Sequence, residues 1–261
     1  PVLPSQQAQP PVPQPVSQNL TLPEKRLHDV LFVLVQELSS PHAAVRKAVQ
    51  HLIHLTADMT GRKVTQLLLP FRPSLLISIS LKRLQTLSVP LQTGFIEAVT
   101  YFISLDPPLL SLAPENTEII SIINAALNLC SGRKDEAPHI MQKDADSKQQ
   151  VPFKLACLRL LKETLGSQDI IRDERHTDLR NHTLELFFHS LAQIQNKEIV
   201  GIAKAGLSAF ISQAKLPKEL LQKSLKPILS NLGVHTKLTR QVLQTLAHLL
   251  ELCTTYFSVK L

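Results

Sequence analysis

After Pro23, apolar side chains recur at spacings of three and four along almost the whole chain, and that period restricts the fold more than any other property of the sequence. Leu27, Val30, Leu31, Leu34 and Leu38 form the first such stripe, and Val45, Val49, Leu52 and Leu55 the second. Leu91, Phe95, Val99, Phe102 and Ile103 form a later one. A period near 3.6 puts each set on one face of a helix. The stripes are punctuated by Ser39-Ser40-Pro41, Thr60-Gly61, Pro70 and Asp106-Pro107-Pro108, residues that stop helices or turn the chain. With 7 Gly against 18 Pro and no Trp, the sequence lacks the glycine turns and aromatic strands of sandwiches, barrels and dinucleotide-binding sheets. The fold class is therefore all-α. About nine to eleven helices of about 10–20 residues, joined mostly by short loops, suit an α-solenoid of stacked helical pairs, with a compact bundle as the alternative.

Four regions follow along the chain. Residues 1–22 are a Pro/Gln-rich tract expected to be an extended or disordered linker, because proline lacks an N–H and disfavours helix before it. Residues 23–130 carry the first run of helical repeats. Thr117 to Cys130 has apolar residues on more than one stripe and is expected to be buried on two sides. Residues 131–150 mix charges densely with no apolar period, and are expected to form an exposed, flexible loop. Residues 151–261 resume the repeats, with helices expected at Val151–Leu165, Leu179–Leu191, Lys197–Ser212, Pro217–Leu232 and from Lys237 to about Val259. Starting at Pro1 without Met, the sequence reads as a segment of something longer.

No phosphate loop, dinucleotide fingerprint, kinase signature, nucleophile elbow or zinc-protease helix occurs, and no catalytic residue is assigned. His51 and His54 lie one turn apart without a third ligand at metal-binding spacing, and His182 and His189 lie two turns apart; no metal and no cofactor is expected. Asp173 and Glu174 sit in a polar turn and read as a cap for the helix that follows. Cys130, Cys157 and Cys253 are scattered and read as buried thiols rather than a disulfide framework. No apolar run reaches the roughly 18 residues of a membrane helix, so no membrane partner is expected.

Charge supplies the one positive hint. The formal net charge is +7, and the cations cluster in two places. Arg62, Lys63, Arg72, Lys82 and Arg83 lie between Met59 and Ile96 without a single carboxylate, and Lys215, Lys218, Lys223, Lys226, Lys237 and Arg240 lie beside only Glu219. Either these are ordinary solvated helix faces or they dock acidic protein segments. The lack of interleaved aromatics argues against nucleic acid as a direct partner.

The segment from Pro41 to Leu55 resembles the second helix of a HEAT repeat: a turn proline, then Val45-Arg46, then Leu52 and Leu55, with the arginine reaching to neighbouring turns. A fainter echo is Ile199, Ala203, Leu207 and Phe210. Residues Pro90 to Leu109, Gln193 to Val200 and Lys237 to Leu252, continuing through Tyr256-Phe257 to Lys260-Leu261, are similar to the HEAT region of the TRRAP family. That resemblance implies a very large repeat protein related to the phosphatidylinositol-3-kinase-like kinases, with a distant kinase-like domain that lacks catalytic residues. It implies a nuclear, non-catalytic scaffold of a histone acetyltransferase coactivator complex of the SAGA type, bound by other subunits and by acidic transcriptional activators. A HEAT-repeat nuclear transport receptor and the regulatory solenoid of an active kinase of the same superfamily stay open as alternatives.

Overall fold

The structure, a computed structural model, describes residues 22–132, 140, 146–191, 196–223, 226 and 239–258. Most of the 1–22 tract, Lys237 and the helix expected from Pro217 to Leu232 beyond its first turns lie outside the described residues.

Helix α1 spans Leu22–Glu37, with Pro23 and Glu24 in its first turn, where a missing N–H and a negative charge are both tolerated. It buries Leu31, Val35 and Leu38. Helix α2, Ala43–Thr60, buries Arg46, Val49, Ile53 and Ala57, and ends where Gly61 takes a left-handed φ of 62°. There the Arg62 N–H donates to the Ala57 carbonyl and the Gly61 N–H to that of Asp58, a termination that needs glycine. Three short helices follow: α3 (Val64–Leu68), α4 (Arg72–Ser78) and α5 (Leu81–Thr86), the last capped by Ser80 Oγ accepting from the Arg83 N–H at 3.2 Å.

Helix α6, Val89–Ser104, is the most enclosed element, buried from Val89 through Ile103 on nearly every side. Sequence periodicity pointed instead to α7 (Thr117–Ser131) as the two-sided helix. That helix is indeed buried along Ile119, Ile122, Ile123, Ala125, Ala126 and Leu127, but α6 is covered further, packing along α8 and touching α5. Between α6 and α7 the chain is not helical, yet Leu109, Leu110 and Leu112 are buried. Its backbone is held by the Leu109 N–H to the Phe102 carbonyl and by Asp169, whose Oδ2 accepts from Ser111 Oγ at 2.8 Å and the Leu112 N–H at 2.9 Å.

Helix α8 runs Ser147–Gly166 and starts four residues ahead of the expected Val151. The polar Ser-Lys-Gln-Gln turn has no apolar period, and Pro152 looks like a first-turn proline. Asp146 caps this earlier start through the Lys148 N–H at 3.3 Å, and the carbonyl that Pro152 cannot bond sits on an exposed turn. Ile140, inside the charged segment, is buried with 1% exposure. Then come α9 (Gln168–Arg172), α10 (Thr177–Leu191), α11 (Lys197–Ile211) and α12 (Arg240–Ser258).

Helices α6, α8, α11 and α12 pack in sequence as one row, and α7 and α10 pack beside one another as a second row against it. Among the described residues there is no strand, and one continuous apolar core runs from Leu31 to Leu252. This two-row stacking of helices is the α-solenoid that the period dictated.

Candidate functional site

Arg46 is the HEAT-like arginine of α2, and its guanidinium Nη1 donates to the Ser40 carbonyl at 2.7 Å, back across the turn that precedes its own helix. Burial pulls its pKa down from the ordinary value while Glu97 of α6 opposes that shift. Glu97 in turn accepts from Arg159 of α8, and Arg159 also binds Glu198 of α11. On Arg159 burial acts to lower the pKa, but the two carboxylates outweigh it and raise it. Lys204 of α11 pairs with Glu251 of α12. Charges of alternating sign thus link each helix of the row to the next. Their sequence separations, 62 residues for Arg159 to Glu97, left no local pattern to read.

The central arginine holds a carboxylate that is only 18% exposed, whereas Glu198 is 52% exposed. Arg159→Met should therefore destabilise the chain by about 1–2 kcal/mol, mainly by stranding Glu97, while Glu198→Ala should cost no more than about 0.5 kcal/mol. Urea unfolding of both variants and of Glu97→Leu/Arg159→Met tests this. The double variant should regain most of the loss; a double variant as weak as the single one would place the cost in packing.

Tyr101 of α6 stacks edge-on with His54 of α2, ring centroids 6.2 Å apart. Burial pushes its phenol up to about 12. The fold favours the neutral form, so that stabilisation is complete below pH ~10 and is lost as pH rises from there through about 12. The chain has two tyrosines, so absorbance titration should show a late step that Tyr101→Phe removes. A single step near pH ~10 in the native protein would contradict the burial.

The sequence-nominated cations are placed unevenly. Arg62 and Lys63 are exposed in the turn after α2, beside a depression of about 590 Å3 that Asp58 and Asp106 also line, so their field is locally offset. Arg72 opens α4 half-buried. Lys82 and Arg83 are exposed on α5, and neither forms an ion pair among the described residues. Lys215, Lys218, Lys226 and Arg240 are exposed and likewise unpaired among the described residues, but Lys223 is taken by Glu185 of α10 at 2.7 Å. The effective cations are fewer than the sequence suggested.

Sequence reasoning also missed a groove of about 600 Å3 between α1, α4 and α6. Phe32, Val35, Phe71, Ile79, Val99 and Phe102 line it, and Arg83 stands at its edge. Its only signal was an excess of apolar residues on α1 and α6 beyond what one neighbour could cover. Asp173 caps as expected, accepting the Arg175 N–H at 2.9 Å. His51, His54 and His189 are exposed and His182 half-buried, and among the described residues no three His, Cys, Asp or Glu converge as metal ligands. Cys130 and Cys157 are buried free thiols; the adjacent Cys130 thiol, then burial, pushes Cys157 well up. No helix among the described residues is long and apolar enough to cross a membrane.

Residues 6–261 match the Tra1 HEAT repeat ring region. The chain is 31% identical over 244 residues to the SAGA complex/NuA4 acetyltransferase complex subunit TRA1 of Saccharomyces cerevisiae, covering 92% of this chain and 6% of that protein. It is 33% identical over 255 residues to the subunit of the same description in Schizosaccharomyces pombe, covering 94% and 7%. To the transformation/transcription domain-associated protein of Homo sapiens it is 25% identical over 239 residues, covering 91% and 6%. It thus spans less than a tenth of the length of these relatives. Its HEAT-type arginine, its two-row helical stacking and a match over nearly every residue agree, and the chain belongs to the Tra1 HEAT repeat ring family.

Proposed function

We propose that this chain is a non-catalytic scaffold segment of a large transcription coactivator subunit, working in the nucleus within a histone acetyltransferase complex of the SAGA type. The observation that carries this reading is identity above 30% over more than nine-tenths of the chain to two subunits of SAGA and NuA4 acetyltransferase complexes. The helical rows supply what such a role needs, a long surface of exposed side chains held rigidly by a continuous core. In this reading the repeats at 23–130 and 151–261 are two helical blocks separated by the charged segment 131–150. The unpaired cations Lys82, Arg83, Lys215, Lys218 and Lys226 attract acidic segments of transcriptional activators, since a cluster of one sign raises the local concentration of the other.

Affinity purification of the tagged parent protein tests the scaffold, with acetyltransferase and adaptor subunits expected in stoichiometric amounts. Recovery of a small GTPase and nuclear-pore proteins would favour a transport receptor instead, and an intact kinase domain in the parent would favour a kinase regulatory solenoid. For the docking part, Lys82→Glu/Arg83→Glu should weaken acidic-peptide binding about tenfold and flatten its salt dependence. Affinity unchanged by this reversal would remove that part of the proposal.

A further inference from the structure

The groove between α1, α4 and α6 combines three properties that seldom coincide on a surface with no role in binding. Its volume of about 600 Å3 falls within the about 300–1,000 Å3 of clefts that bind ligands. Its floor is apolar and aromatic, contributed by Phe71 and Ile79 on one wall and Phe95, Val99 and Phe102 on the other. Part of that apolar lining is open to solvent, because Phe32 is 46% exposed. Water against such a strip is released when another apolar face covers it.

Its charge is equally one-sided. Arg83 is the charged residue of the lining, follows Lys82, and forms no ion pair among the described residues. From Met59 to Ile96 the sequence offers no carboxylate. Glu118 of α7 accepts the Leu81 N–H at 3.1 Å and keeps its negative charge at the start of α5, but it does not line the groove. The depression beside Arg62 and Lys63 lacks this asymmetry, since Asp58 and Asp106 share it.

We propose that this groove seats one amphipathic helix of a partner protein, with bulky apolar residues one turn apart on its floor and a carboxylate on Arg83. An apolar strip bounded by a single cation matches the helix-in-groove mode, where anchors at i, i+4 and i+7 supply affinity and a flanking charge sets register. Two segments of this chain do not supply that helix. The 1–21 tract, which leads into α1, contains no Asp or Glu to meet Arg83, and Ile140 of the charged segment is buried in the core. The inference rests on the scaffold reading and narrows it to one surface.

The test uses the full 261-residue chain and a fluorescent, helix-stabilised peptide with Leu at i, i+4 and i+7 and flanking Glu, read by anisotropy against a scrambled peptide of equal composition. The scrambled peptide should bind at least about tenfold more weakly. Arg83→Glu should weaken the helical peptide about tenfold, and so should Ser74→Trp, which places an indole in the groove from an exposed position. Lys197→Glu, the same reversal at an exposed lysine of α11 outside both basic clusters, should stay within about twofold. A Lys197→Glu loss equal to that of Arg83→Glu, or an unchanged Ser74→Trp, overturns the groove as the site. Tightening on deletion of residues 1–21 would make that tract the occupant and overturn the partner assignment. If this peptide fails while the purified parent still brings down acetyltransferase subunits, the groove falls and the scaffold stands.

Discussion

Gly94→Ala is expected to destabilise the chain by about 3 kcal/mol, although alanine is intrinsically the better helix former by about 1 kcal/mol. Gly94 lies in the second turn of α6, where that helix crosses the turn between α1 and α2. A Cβ built there meets the Ser40 carbonyl oxygen at 2.5 Å and the Ser39 carbonyl carbon at 2.8 Å. Both opposing atoms are backbone, and Arg46 already fixes the Ser40 carbonyl, so neither can turn aside as a side chain would. The added methyl must push α6 away from the first helical pair and open the contacts of Phe95 and Ile96. Gly201, on the exposed side of α11 with nothing within 4 Å of its Cβ position, is the control. There the same substitution should stabilise by about 0.5–1 kcal/mol. Opposite signs at the two glycines in urea unfolding would establish close helix approach as the cause; equal signs would refute it.

Phe187→Ala should cost more, about 4 kcal/mol, because Phe187 is fully buried between α10 and α11 and its removal leaves a ring-sized void. The same ring makes Gly206 of α11 obligatory, since a Cβ there would lie 2.8 Å from Phe187 Cδ2. Gly206→Ala alone should lose about 2 kcal/mol through overpacking. Combined with Phe187→Leu, a smaller and more mobile side chain, the loss should fall short of the sum of the single variants by at least about 1 kcal/mol. Strict additivity would mean that ring and glycine do not share one space. Thermal or urea unfolding of the four proteins completes the cycle.

These two glycines mark the limit of what periodicity can convey. The stripe Val45, Val49, Leu52 and Leu55 located α2, and the valine–arginine pair announced that Arg46 would reach back across its turn, because both signals are local. Leu52 and Leu55 are nonetheless exposed while Arg46 is buried, since burial depends on which neighbour arrives rather than on hydrophobicity alone. The start of α8 was hidden because a side-chain cap at Asp146 replaces an apolar period. The buried stretch Leu109 to Leu112 was hidden because its order comes from Asp169, almost 60 residues away. Among the candidate site residues, exposure of Lys82, Arg83, Lys215 and Lys218 was legible from charge density. The capture of Lys223 by Glu185 was not, because it joins helices the sequence cannot place side by side. The groove belongs to the same class: three helices each contribute a few residues, and no one of them carries the pattern.

The links from Arg46 toward Glu97, from Arg159 to Glu97 and Glu198, and from Lys204 to Glu251 have a mechanical consequence. Apolar contacts between neighbouring helices resist separation, and interlocked side chains such as Phe187 against Gly206 also resist axial sliding. Pairing at fixed points adds to that resistance and leaves bending about the pairing points as the softer motion. Stiffness should then be anisotropic and should fall with ionic strength in proportion to the exposure of each pair. The weakest joint in shear would be the Lys204–Glu251 pair between α11 and α12, whose carboxylate is 60% exposed. Small rotations at successive joints add up along the row, so these few pairs set how far α6 and α12 can swing relative to one another.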